Sequence, residues 1–286
     1  MKILGEGEAR GGVSILHALG TGKGCSVGVN LLTSVRLVDK KTENLQDKHD
    51  LLDSVIKCWE SEGLPLPKEY GWNISSEVPI GQGLKSSSAL ACAAIKSLNS
   101  AMWMNLNNFE IVDLAVKAQK GAGCTVTGSI DDTWCTMTEG WKLVDSSKNA
   151  AESVLSEGRI KDSLYVLIAM RGNRRKEIHI DSFIKYDALF EKALKSVEKG
   201  DIFGALTTNG MAVAAAKDDS EAIKICNLSI VNGAIAAGLT GSGPAICIIC
   251  YEKEIRILSD LLKSHNMDFM KTTFYNFSNK EGVKWE

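Results

Sequence analysis

Proline and histidine are scarce in this 286-residue chain, four of each, and aromatic residues make up only 6%. So few prolines exclude a proline-rich linker or tail. The histidines, at 17, 49, 179 and 265, share no metal-ligand spacing and are assigned no metal. An excess of one charge is also missing. The 33 basic and 35 acidic side chains leave a net −2, which argues against a broad basic surface for nucleic acid. No apolar run approaches the ~18 residues of a membrane span. The opening MKILGEGEAR turns acidic and glycine-rich at once, unlike a signal peptide. The expectation is a cytoplasmic protein with neither nucleic-acid nor membrane partners, acting as a monomer or homodimer.

What is present supports a packed core. Apolar residues make up 44% and charged residues 24% of the chain, which excludes general disorder. The length suits one large domain or two modest ones. Eight cysteines are scattered through apolar stretches and read as reduced, buried thiols. Cys247 and Cys250 form a CxxC pair within Ala245-Ile246-Cys247-Ile248-Ile249-Cys250-Tyr251. If that run is a strand, residues three apart face opposite sides, so the pair is not expected to share a metal or a disulfide.

The first 40 residues read as glycine-rich β structure. Leu51, Leu52, Val55, Ile56 and Trp59 form one helical face, ended by Gly63 and Pro65. A short strand at 72–75 leads into the loop 79–83. Helices are expected over 87–104 and 109–120, followed by a Gly/Thr/Ser-rich stretch at 121–133. A second half begins near 155, with a buried strand at 164–169. Helices follow at 187–199, 201–216 and 219–237, then a strand at 245–251, a helix near 253–265 and a hairpin over 271–285. Interleaved strands and helices in both halves give an α/β or α+β protein of two intimate domains.

Three glycine-rich segments stand out. In Pro79-Ile80-Gly81-Gln82-Gly83-Leu84-Lys85-Ser86-Ser87-Ser88-Ala89, two glycines permit a tight bend close to a ligand. Three hydroxyls then open a helix. The free N–H groups and positive dipole end of that helix suit a phosphate. A simple helix cap would need one hydroxyl, with no GxG before it. Gly238-Leu239-Thr240-Gly241-Ser242-Gly243-Pro244-Ala245 holds more glycines than the single one a helix C-cap needs. It is expected to lie near the ligand or the first loop. Gly20-Thr21-Gly22-Lys23-Gly24 fails as a Walker A loop, because His17 and Gly24 stand where Gly and Ser/Thr are required.

The pattern PxGxGLxSSxA, followed downstream by GLTGSGPA, resembles the GHMP kinase superfamily across nearly the whole chain. Within it, ALGTGKGCSVGVNL at 18–31, Lys85 where most members have Gly, and TGSIDDTW at 127–134 look most like the archaeal shikimate kinases. The resemblance implies an α+β two-domain fold. Residues 1–155 would form a half like domain 2 of ribosomal protein S5, and 156–286 a ferredoxin-like half. It implies ATP as co-substrate with Mg²⁺, and transfer of phosphate to the 3-hydroxyl of shikimate on the route to chorismate. Residues 79–89 with Thr240, Gly241, Ser242 and Gly243 would hold ATP, and Ser87 would ligate the metal. Asp131 would accept or orient the hydroxyl proton, with Asp132 as an extra carboxylate.

Two departures from the pattern stand out. Some relatives carry a Lys in the first segment, beside the catalytic Asp. The matching region here is Gly11-Gly12-Val13-Ser14, and Lys23 is the nearest candidate to compensate. Others supply a metal-binding Glu one helix earlier, where this chain has Lys120. Arg171 and Arg174, in the basic stretch 171–176, are either a solvated face or candidates for a substrate carboxylate, since Arg pairs carboxylates bidentately. Two rival readings remain. One is a homoserine kinase or another kinase of the superfamily, and the other is a non-catalytic nucleotide-binding protein on the same fold.

Overall fold

The computed structural model describes residues 1–42, 47, 49–125, 127–160, 163–172 and 180–276. The chain forms two antiparallel sheets. In the first half these are β1 (Ile3–Leu16), α1 (Ala18–Thr21), β2 (Lys23–Val38), α2 (Leu51–Ser61), β3 (Gly71–Ser76), α3 (Ser86–Met102), α4 (Asn108–Gly121), α5 (Ile130–Met137), β4 (Trp141–Asp145), α6 (Ala150–Ser153) and β5 (Val154–Gly158). The sheet order is β1-β2-β4-β5, with β3 pairing to the far end of β2. The second half comprises β6 (Leu164–Ala169), α7 (Ile180–Ile184), α8 (Asp187–Glu198), α9 (Ile202–Ala216), α10 (Ser220–Val231), β7 (Ala236–Leu239), β8 (Ile246–Tyr251), α11 (Ile255–Ser264) and β9 (Phe269–Thr273). Its sheet order is β7-β8-β6-β9, the split arrangement of a ferredoxin-like half.

Burial along β1 shows how the halves meet. It alternates over the first residues and becomes continuous from Gly11 to Leu16. An alternating strand has one buried face; a continuously buried one has two. One face packs on α3 at the alternating end and meets Cys135 of α5 at Gly12, while at the covered end the other face joins a shared core that includes Val13, Ile15, Val166, Ile168, Leu194 and Leu206. On the first face, α3 lies so close that a Cβ on Gly7 would come 2.1 Å from the carbonyl oxygen of Ala93. The Ala-rich face of α3 makes that approach feasible.

Most expected elements stand within a residue or two of their positions, and three differences have clear causes. The helix expected over 219–237 ends at Val231, and Ala236–Leu239 instead pairs with β8 as a strand. The stretch 121–133 contains the start of α5, which its Gly/Ser/Thr composition concealed. The chain leaves the first sheet at Gly158 and enters the second at Leu164, so the 155/156 division falls inside β5. Of the terminal hairpin, β9 is present, and residues beyond 276 lie outside the described part. Cys247 and Cys250 occupy one strand and point into different cores, as alternation requires. Among the described residues no helix is long and apolar enough to cross a membrane.

Candidate active site

The two larger glycine-rich loops meet at the mouth of a cleft of about 320 Å³. Thr240 ties them together. Its hydroxyl donates to the Gly83 carbonyl at 3.2 Å and accepts from the Ser14 amide of β1 at 3.1 Å. Gly83 has φ +80°, and a Cβ there would meet the Thr240 carbonyl oxygen at 2.2 Å, so only glycine fits. Ile80, Gly81, Gly83, Lys85, Ser86 and Ser87 line the cleft, with Gly241 and Ser242 opposite. Leu84, Ser88 and Ala89 are buried, and Pro79, Gln82, Thr240 and Gly243 also lie off the lining. The first-turn amides of α3 open at this point, as an anion site needs.

Beneath the loop lies Gln119 of α4, fully buried. Its Oε1 accepts from Ser88 Oγ at 2.8 Å and Ser87 Oγ at 3.3 Å, while Nε2 donates to Thr133 Oγ1 at 3.1 Å on α5. This Gln, not the exposed Lys120 beside it, is the α4 residue that reaches the phosphate loop. Sequence reading missed it by one position, because only helix phase decides which neighbour faces inward. Ser88 is thus occupied structurally, whereas Ser87 faces the cleft. Among the described residues no cluster of three or more His, Cys, Asp or Glu could form a metal cage. Hydroxyl oxygen from Ser87, completed by phosphate oxygens and water, fits Mg²⁺, which seldom uses an all-protein cage.

The opposite wall carries Asp131 and Asp132 in the first turn of α5, where a helix favours carboxylates. Asp131 is 5% exposed, and Ser26 of β2 donates to its Oδ2 at 2.8 Å. Gly24 makes room for that carboxyl, since a Cβ on it would come 2.5 Å from Asp131 Cγ. This is what the third glycine-rich segment contributes. Burial, and then the charge of Asp132, push the Asp131 carboxyl up to about 7. Asp132 is held the other way. Burial would raise it, but Lys85 overrides that and keeps it below the usual carboxylate range. Lys85 Nζ lies 2.5 Å from Asp132 Oδ1 and 2.5 Å from Ser14 Oγ. Lys23, the lysine expected to compensate for the first segment, begins β2 opposite Asp145 and does not line the cleft.

Arg171 is employed elsewhere. Its two Nη atoms reach the Asp219 carboxylate at 2.7 Å each, and one reaches Glu221 at 2.6 Å. It fastens the end of β6 to the start of α10, away from the cleft lining. Arg174 lies outside the described residues. Among the described residues, Lys85, His17 and His49 are the basic side chains that line the cleft. A narrower apolar groove, lined by Leu51, Ile74, Ile80 and Leu90, continues from the loop and shares Ser86 and Ser87 with the cleft.

Known proteins match this arrangement. The family described as GHMP kinases N terminal domain matches residues 50–140. A shikimate kinase of Pyrococcus abyssi is 31% identical over 268 residues, covering 87% of this chain and 93% of that one. A shikimate kinase of Methanothrix thermoacetophila is 30% identical over 249 residues, covering 84% and 83%. The mevalonate kinase of Methanococcus jannaschii shares the fold with a TM-score of 0.74 at 18% identity, over 95% of this chain and 98% of that one. With these relatives covering most of its length on this fold, the chain belongs to the GHMP kinases, an ATP-using family, alongside the archaeal shikimate kinases.

Proposed function

We propose that the protein transfers the γ-phosphoryl group of ATP to the 3-hydroxyl of shikimate, giving shikimate 3-phosphate. The observation that carries phosphoryl transfer is the meeting of the glycine- and serine-rich loop at the start of α3 with Asp131 and Asp132 in one cleft. Kinship with the archaeal shikimate kinases over most of their length supports the acceptor.

In this reading the first-turn amides of α3 hold the polyphosphate, and the base lies in the groove of Leu51, Ile74, Ile80 and Leu90. Phosphoryl transfer proceeds through a loose transition state, so holding both reactants in line does most of the catalysis. Asp131 accepts or orients the proton of the attacking hydroxyl. A carboxyl at about 7 is matched to general-base work near neutral pH. Ser26 fixes the orientation of that carboxyl. Mg²⁺ with Ser87 would neutralise charge on the transferring group. The imidazoles of His17 and His49 line the same cleft.

The test is turnover of ATP with shikimate, homoserine, mevalonate and galactose, with the phosphorylated product identified by NMR. Shikimate should exceed the others in kcat/KM by about 100-fold or more, the scale on which a site built for a polar substrate discriminates. A better rate with another acceptor overturns the shikimate assignment. Nucleotide binding without turnover of any acceptor would favour a non-catalytic binding protein.

A further inference from the structure

Lys85 breaks three local rules at once. It adopts φ +66°, a left-handed conformation that long side chains avoid. It occupies the N-cap of α3 without making a side-chain cap, where Ser, Asp, Asn or Gly would serve the helix better. Its ammonium is buried, with the side chain 5% exposed, and a buried charge is unfavourable unless paired. Such violations concentrate where function requires them.

The path of the side chain shows what it is for. The stem leaves the phosphate loop and crosses to the opposite wall past Gly12, where a Cβ would come 3.2 Å from Lys85 Cγ. The ammonium ends between Ser14 Oγ and Asp132 Oδ1, at 2.5 Å from each. Gly241 of the second loop covers it, with a Cβ there 3.5 Å from Nζ. Lys85 thus carries a positive charge from the loop to Ser14 of β1 and Asp132 of α5 on the other side of the cleft.

We infer that Lys85 is a positioning residue for phosphoryl transfer, tying down Asp132 so that Asp131 alone serves the acceptor hydroxyl. The inference rests on the kinase reading above, though not on which acceptor is used. The Ser26 hydroxyl supplies a second argument, because it has one hydrogen for two carboxylates. It lies 2.8 Å from Asp131 Oδ2 and 3.3 Å from Asp132 Oδ1. The closer Ser26 contact is to Asp131, while the ammonium is paired with Asp132.

The test uses Lys85→Met, which keeps an unbranched stem and removes the charge, with Asp132→Asn and the double variant. Wild-type turnover of the acceptor panel comes first. If shikimate is not preferred, the acceptor assignment falls, and the variants are assayed with the acceptor that is. No turnover of any acceptor overturns both proposals. Lys85→Met should lower kcat by about 100-fold or more, with nucleotide Kd and both KM values within about 3-fold, as expected for a contact that acts in the transition state. Asp132→Asn should lose about 10-fold or more, because the freed ammonium turns to Asp131. The double variant should be at least about 10-fold faster than either single one, because nothing then competes for Asp131 or Ser26. Should Lys85→Met misfold, the comparison of Asp132→Asn with the double variant carries the same prediction. Wild-type kcat in Lys85→Met, a loss confined to nucleotide affinity, or a double variant no faster than the singles would overturn the inference.

Discussion

Asp131→Asn should make the enzyme slower and more stable together. Asp131 is almost fully buried, with its carboxyl displaced from 3.8 to about 7. That displacement corresponds to roughly 4 kcal/mol of destabilisation at full ionisation. Because the folded value lies above the unfolded one, the penalty is absent below pH ~4. It grows as the pH rises and is complete above about 7. Asn keeps the shape and still accepts from Ser26, but removes the charge and its repulsion of Asp132. At pH 8 the variant should gain roughly 2–4 kcal/mol, a Tm rise of about 3–7 °C for a chain of this size. At pH 5, where the folded wild-type carboxyl is protonated, the gain should fall by more than half. Meanwhile kcat should drop about 10²–10⁴-fold, the usual worth of a positioned acid–base group. Scanning calorimetry at the two pH values, with steady-state kinetics at pH 8, checks both halves. A variant less stable than wild type at pH 8 would refute the electrostatic reasoning. An active Asp131→Asn beside a dead Asp132→Asn would move the acid–base role one residue on.

Ser87→Ala should impair Mg·ATP use about 10-fold or more in kcat/KM. Ser88→Ala should chiefly lower Tm, since its hydroxyl is spent on Gln119; equal kinetic losses would count against Ser87 as the metal ligand. Gly24→Ala, whose Cβ would collide with the Asp131 carboxyl, should reduce kcat about 100-fold while nucleotide binding, followed by calorimetry, stays near wild type. Arg171→Ala should cost roughly 2–3 kcal/mol in denaturant unfolding by stranding Asp219, yet leave the KM for shikimate within about 3-fold. A large rise in that KM would return Arg171 to the substrate. The methyl ester of shikimate should lose roughly 30-fold or more in kcat/KM if a remote carboxylate contact positions the hydroxyl. Equal rates for acid and ester would exclude that contact.

Much was legible in the chain alone because its signals are local. The strand at Leu164–Ala169, the helical face of Leu51 to Trp59 and the serine-rich opening of α3 each depend on residues a few positions apart. So do the two loop motifs, and their order along the chain carried the family. What failed locally was ambiguous in composition. The run Ala234-Ile235-Ala236-Ala237 suits a helix as well as a strand, and pairing with β8 decided it. The start of α5 has poor helix formers and is held by packing and by Thr133 reaching Gln119. The contacts that join the site's residues were not legible. Ser14 and Lys85 are 71 residues apart, and Ser26 and Asp131 are 105 apart. Nothing in either neighbourhood announces the other. The sequence presented Lys85 as part of a phosphate loop, and Arg171 as either a solvated charge or one for a substrate. The fold turned Lys85 inward onto Asp132 and Arg171 onto Asp219, because a buried charge must find its partner wherever the packed chain has brought one.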